Sequence, residues 1–198
     1  LCIEGGIDQE VYDYFENDAE ELSKSDKGIV FMYAGILEPV TGIDQLVQAF
    51  CNIDNRDYRL WISGKGSMKA MILDAVKFDD RITYLGCVEY EEYLSNLKKA
   101  DVLINPRNMQ LPENANNFPS KIMEYLATGK PIISTRFPGW EKFADYIEFC
   151  DSSVIGIQKA VETFGQRDHS RQKNREFATG FIWHNQVKKM MKILEQDA

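Results

Sequence analysis

The sequence predicts an α/β fold: a Rossmann-like parallel sheet of about six strands with helices on both faces. Short apolar runs rich in β-formers, such as Gly28-Ile-Val-Phe-Met-Tyr-Ala34, read as buried parallel strands. Between them lie amphipathic segments, the clearest with Ile43, Leu46, Val47 and Phe50 at i, i+3, i+4 and i+7. Strand and helix signals alternate along the chain, and that alternation places helices on both faces of a parallel sheet.

Residues 1–27 read as a linker or hinge segment with a surface helix. They run acidic through Asp8, Glu10, Asp13, Glu16, Asp18, Glu20 and Glu21, with no base until Lys24. One domain over 28–198 follows. Its first strand ends at Ala34-Gly35, and a helix starts at Gly42-Ile43. Tyr58–Ser63 is the second strand, closed by Gly64-Lys65-Gly66, and Ser67–Phe78 the next helix. Arg81–Leu85 is the third strand and Tyr90–Lys99 a helix with Tyr93, Leu94 and Leu97 on one face. Asp101–Ile104 is the fourth strand, Phe118–Thr128 a helix, Pro131–Ser134 the fifth strand and Tyr146–Phe149 a short sixth. Helices are predicted over about 152–165, 168–177 and 181–195. The last carries Trp183, Val187, Met190, Met191 and Leu194 on one face, which reads as core. A strand order of 3-2-1-4-5-6 puts the switch point between the first and fourth strands, so ligands bind at Gly35 and in the loop from Asn105.

Composition bounds the function. The chain has 198 residues, 44% hydrophobic and 27% charged, enough for one filled core. A formal net charge of -8 argues against nucleic-acid binding and generic binding to anionic membranes. Cys2, Cys51, Cys87 and Cys150 lack metal-type spacing and fit a reduced cytoplasmic protein. His169 and His184 are too few for a histidine metal site, so no metal or cofactor is predicted. No signal peptide or apolar run of about 18 residues occurs. The chain begins at Leu1 rather than Met and reads as a piece of a longer protein. The pairs Asp79-Asp80 and Glu91-Glu92 read as surface.

Asn105–Gly129 is the stretch with chemistry. Pro119 suits the first turn of a helix and Gly129 the position past its end. Unpaired first-turn N–H groups beside Ser120 and Lys121 form an anion site. Glu124, one turn deeper, suits sugar hydroxyls. Phosphate donors with a hydroxyl acceptor point to a nucleotide or nucleotide-sugar ligand. Gly64-Lys65-Gly66 is not a dinucleotide fingerprint, because Lys69 stands where a third Gly belongs.

An ordered set of motifs carries a family resemblance: Tyr33-Ala-Gly35 with Gly42-Ile43, Ile62-Ser-Gly-Lys-Gly66, Tyr84-Leu-Gly86-Cys-Val88, and Phe118-Pro-Ser-Lys-Ile-Met-Glu-Tyr-Leu-Ala-Thr-Gly-Lys-Pro131. Over roughly residues 28–196 the chain resembles the C-terminal domain of a two-domain (GT-B) retaining glycosyltransferase of family 4. Within it, the chain is similar to bacterial enzymes of capsular and exopolysaccharide synthesis. The opening Glu4-Gly-Gly-Ile-Asp8 resembles the interdomain hinge.

The resemblance implies a nucleotide-sugar donor, UDP-linked first, held mainly by this domain. A glycan or lipid-linked acceptor would sit in an N-terminal half outside this sequence, together with any membrane contact. The C-terminal helix would help tie the halves together, and this part alone would be inactive. No metal is implied. Two acidic positions eight apart flank the donor in the family. The ribose position falls on Glu124 and the sugar position on Asn116, which lacks the charge; Glu113 could reach in instead. Two further family positions, often Arg and Lys on the diphosphate, hold Ile36 and Thr41. Phosphate binding then rests on backbone amides and other cations, Lys121 first, then Arg107 or Lys65. Asn116 and Lys121 take the catalytic places. Gly35, Gly64, Gly66, Val88, Phe118, Pro119 and Ser120 complete the donor site. Two rivals stand beside this reading: a sugar-nucleotide epimerase of the same architecture, and a non-catalytic nucleotide-binding or interaction module.

Overall fold

The structure is a computed structural model that describes residues 5–16, 28–164 and 170–196. Asp18, Glu20, Glu21, Lys24, Cys2 and His169, named above, lie outside these residues, as does Glu4 of the hinge motif.

The elements in order are α1 (Gln9–Tyr14), β1 (Ile29–Ala34), α2 (Ile43–Cys51), β2 (Tyr58–Ser63), α3 (Lys69–Phe78), β3 (Ile82–Gly86), α4 (Tyr90–Lys99), β4 (Val102–Asn105), α5 (Lys121–Thr128), β5 (Ile132–Thr135), β6 (Glu148–Cys150), α6 (Val154–Glu162), α7 (Arg171–Thr179) and α8 (Trp183–Gln196). The six strands form one parallel sheet in the order β3-β2-β1-β4-β5-β6. This is the predicted order, so the carboxyl ends of β1 and β4 flank the switch point.

Period-2 alternation decides what each strand residue packs against. Val30, Met32 and Ala34 of β1 join one apolar cluster with α1, α4, α5 and α7. Phe31 and Tyr33 join the other, with α2, α3 and α6. Both faces of the central strand are thus covered, which is why it reads as a continuous apolar run. Burying each large apolar side chain stabilises by about 1.5–3 kcal/mol. Beside β5 and β6 the first cluster is aromatic: Phe137 meets Phe118, Phe143 and Phe149 at ring-centroid distances of 5.2, 5.5 and 5.5 Å.

Three expectations change. The described part of the opening segment, residues 5–16, is more than a solvated linker: Ile7, Val11 and Phe15 are buried, and Ile7 exchanges hydrogen bonds with Phe181 and Trp183. The apolar stripe of α8 is not core, because Trp183, Val187, Met191 and Leu194 are exposed. Phe181 and Ile182, just before the helix, take the buried places, and Gln186 is the residue α8 turns inward, donating to Gly180 O at 3.2 Å. Asp79 is not a surface acid. It is buried against Arg81, whose guanidinium also donates to Ile53 O at 2.6 Å and Phe50 O at 3.3 Å. This pair fastens the start of β3 to the end of α2. No helix among the described residues is long and apolar enough to cross a membrane.

Removing one partner of such a pair leaves a buried charge uncompensated. Asp79→Ala should therefore cost about 3–5 kcal/mol in urea unfolding. Arg81 holds the Asp79 carboxyl below its ordinary 3.8. The stabilisation is then complete above pH 3.8 and is lost as pH falls through the lower folded value. An unchanged midpoint in Asp79→Ala would show that the pair does not hold β3 in place.

Candidate functional site

The carboxyl ends of β1, β2 and β4 are laced together through backbone. Gly35 N–H donates to Ser63 O and Leu37 N–H to Lys65 O, both at 2.9 Å, and Met68 N–H donates back to Leu37 O. The approach leaves no room for side chains: a Cβ on Gly64 would stand 1.7 Å from Gly35 O. The Gly64-Lys65-Gly66 turn is thus explained by contact with the loop after β1. Lys65 itself is exposed.

On the other flank, Asn114 organises the loop after β4. It is fully buried, and its amide donates to Val40 O and Asn108 O, each at 2.7 Å. Its carbonyl accepts from Arg107 Nη1 at 2.9 Å, and the same nitrogen reaches Asn117 O at 3.2 Å. Arg107 is half-buried beside Tyr33, and desolvation holds its pKa below the ordinary value. Tyr33 donates to Ile36 O at 2.6 Å, and burial pushes its hydroxyl up to about 12.

Helix α5 begins at Lys121, three residues after the predicted start. Phe118 packs into the aromatic cluster and Pro119 is buried, while Ser120 is exposed and caps nothing with its side chain. The backbone N–H groups of Ser120 and Lys121 have no acceptor among the described residues. Ile122, Met123, Tyr125 and Leu126 are buried and fix the helix. The Tyr125 hydroxyl, also fully buried, lies against the backbone of Ala34 at the end of β1.

Lys121 lies across the end of β1: its Cε would stand 3.4 Å from a Cβ on Gly35, and its Nζ is 5.0 Å from the centre of the Tyr93 ring. Burial lowers its pKa, with Glu124 opposing. Tyr93 Oη donates to Glu124 Oε2 at 2.6 Å. Neither Lys121 nor Arg107 forms an ion pair with a described carboxylate.

The structure thus brings together Gly35, Lys121 and Glu124, with Gly64 to Gly66 laced on one flank and Arg107 on the other. Val88 is half-buried against the core, short of α4. Glu113 and Asn116 are exposed on the β4–α5 loop, and neither side chain hydrogen-bonds a described residue. Ile36 is 63% exposed, and the Thr41 hydroxyl is committed to Ile36 O and Glu38 O. Sequence reasoning missed Tyr93 and Asn114. The sequence shows Tyr93 only as part of a packing face, though a buried hydroxyl needs a partner. Asn114 is one of several polar residues in a loop and gave no signal. A cavity of about 510 Å³ at the opposite end of the sheet is lined by Arg56, Arg59, Lys77 and Phe78, but Arg81 there already serves Asp79.

Residues 28–152 match the family described as Glycosyl transferases group 1. The chain belongs to this family. A relative of 22% identity is TuaH of Bacillus subtilis strain 168, provisionally named a teichuronic acid biosynthesis glycosyltransferase; the match covers 96% of this chain and 49% of TuaH. A glycosyltransferase from Rickettsia africae ESF-5 superposes with a TM-score of 0.74 at 16% identity, over 99% of this chain and 56% of that one. The pneumococcal O-GlcNAc transferase GtfA, solved with UDP and GlcNAc, superposes at 0.65 and 18% identity, over 88% of this chain and 37% of GtfA. These likenesses show the GT-B type of fold. The chain spans about half the length of TuaH and of the Rickettsia enzyme.

If Asn114 holds the site loop, Asn114→Ala should lower stability by about 1–3 kcal/mol, since it removes the hydrogen bonds of a buried amide to Val40 O, Asn108 O and Arg107. Amide exchange should quicken across residues 106–117 and stay slow in α4. Uniform acceleration would assign Asn114 to global stability instead.

Proposed function

We propose that this group 1 glycosyltransferase domain is the donor-binding half of a retaining enzyme of family 4, of the capsular or exopolysaccharide type. The whole enzyme transfers a sugar, a hexose first, from a nucleotide diphosphate, UDP above others, to a glycan or lipid-linked acceptor held by a second half.

One observation carries the reading: two desolvated cations, Lys121 and Arg107, have no described carboxylate within ion-pair distance at the switch point, where two first-turn amides of α5 are also free and Glu124 acts on Lys121 only from further off. Burial disfavours an unpaired charge, so such a pair favours an anionic ligand. A diphosphate supplies the charge, and the Glu124 carboxylate accepts from ribose hydroxyls. When the sugar–phosphate bond breaks, the leaving diphosphate gains charge, and fixed amides and cations stabilise it. The reading calls for no metal cofactor. Asn116, exposed on the β4–α5 loop, takes the place at the sugar, with Glu113 on the same loop as its substitute. The exposed α8 stripe of Trp183, Val187, Met191 and Leu194 suits a second half, which would cover it.

A carboxylate bonding two hydroxyls contributes about 1.5–3 kcal/mol. Glu124→Ala should weaken UDP at least about tenfold in calorimetry, with the unfolding midpoint lowered only by the loss of the Tyr93 hydrogen bond. An unaltered dissociation constant removes Glu124 from the site.

Lys121→Ala should weaken UDP far more than uridine, and it should flatten the salt dependence of UDP binding. Equal losses for both ligands would mean that Lys121 acts through packing. No loss for either would move the role to Arg107 or the amides.

A further inference from the structure

The first turns of α4 and α5 meet at a contact that the proposed donor site does not yet use. Tyr93 is 9% exposed, and its hydroxyl donates to Glu124 Oε2 at 2.6 Å. Its ring carries Lys121 Nζ 5.0 Å from the centre on one side and faces Tyr90 at 5.8 Å. One side chain therefore touches both charged groups of the candidate site. The ring belongs to the apolar cluster with Leu94 and Leu97, while the hydroxyl reaches Glu124.

That hydroxyl has consequences for the carboxylate. A glutamate on a helix surface samples many rotamers, and ligand binding must fix one of them. A carboxylate has about four lone-pair sites. A hydrogen bond on Oε2 occupies one site and restrains the torsions, leaving Oε1 and a second site on Oε2 for incoming hydroxyls. The Lys121 ammonium over the ring adds a second fixed point, since a cation prefers the face of an aromatic ring. Burial holds the Tyr93 phenol well above its ordinary range, so it remains a donor at every pH at which the protein works.

We infer that Tyr93 is a positioning residue for nucleotide binding: its hydroxyl presets the Glu124 carboxylate to receive the two ribose hydroxyls. This rests on the reading that Glu124 meets the ribose.

The test compares UDP with 2′,3′-dideoxy-UDP, titrated calorimetrically into the chain and its Tyr93→Phe variant. Phe keeps the ring, and with it the Lys121 contact, and removes only the hydroxyl. The unaltered chain should prefer UDP over the dideoxy ligand by about tenfold or more. Tyr93→Phe should weaken UDP about threefold to tenfold and leave the dideoxy ligand unchanged. A merely structural role would weaken both ligands equally, and that result overturns the proposal. A variant that keeps the full preference for UDP overturns it as well. An unaltered chain that binds both ligands equally overturns the ribose reading of Glu124 and this proposal with it. Should the variant unfold, Tyr93→Leu with the same pair of ligands separates loss of fold from loss of preference, because a folded Leu variant that retains the preference also refutes the idea.

Discussion

Everything at the candidate site depends on how closely the backbones at the end of β1 approach their neighbours. A Cβ on Gly64 would stand 1.7 Å from Gly35 O, and one on Gly42 would stand 1.9 Å from Pro106 O. Gly42 also has φ +70°, which disfavours any other residue. The loop after β1 is therefore gripped from both sides, by the β2 turn and by the β4 loop. These are the two neighbours between which the strand order turns. Lys121 crosses this tightly packed loop at Gly35, its Cε 3.4 Å from where a Cβ would stand. A site built on locked strand ends keeps its geometry without the ligand.

Two sorts of buried cation in this fold show what the site lacks. Arg81 has its own carboxylate in Asp79, and the pair raises its pKa. Arg107 and Lys121 have none within ion-pair distance among the described residues, and burial lowers theirs. The first is a finished structural interaction; the other two are unfinished. Neutral contacts soften the cost: the Asn114 carbonyl on Arg107, the Tyr93 ring under Lys121. Neither contact cancels a charge. In a chain of net charge -8, these two half-buried cations at the switch point have no ion-pair partner within reach among the described residues, though Glu124 acts on Lys121 from a distance.

The strands, their order and the alternation of faces were legible because each rests on local pattern. β1 reads as apolar because both its faces are covered, and α2 reads as helix because its apolar residues repeat at 3.6. Lys121 and Glu124 were legible because the Pro119 and Gly129 signals fix the helix that carries them. What escaped was set by partners distant in sequence. Asp79 looks like surface beside Asp80 until Arg81 folds back onto it. Tyr93 looks like packing until Glu124, 31 residues later, meets its hydroxyl. The α8 stripe reads as core by periodicity, yet Phe181 and Ile182 had already filled the place. Periodicity tells which residues share a face, not what covers it.

The departures at Ile36 and Thr41 are informative for the same reason. The loop after β1 spends its polar groups on itself: Tyr33 and Thr41 both donate to Ile36 O, and Glu38 holds Ser67. The positive charge instead comes from the other side of the switch point, from Arg107 on the β4 loop and Lys121 on α5. On the proposed reading, a diphosphate is then held from one side rather than between two. Such an arrangement works only if that side is rigid, because no opposing cation corrects an error in position. The packing supplies the rigidity. Ile122, Met123 and Leu126 are fully buried, and Tyr125 sets α5 against Ala34. The first-turn amides, with roughly half a positive charge from the helix, thus point at a fixed place beside Lys121. Charge that is already in position need not reorganise when the ligand arrives.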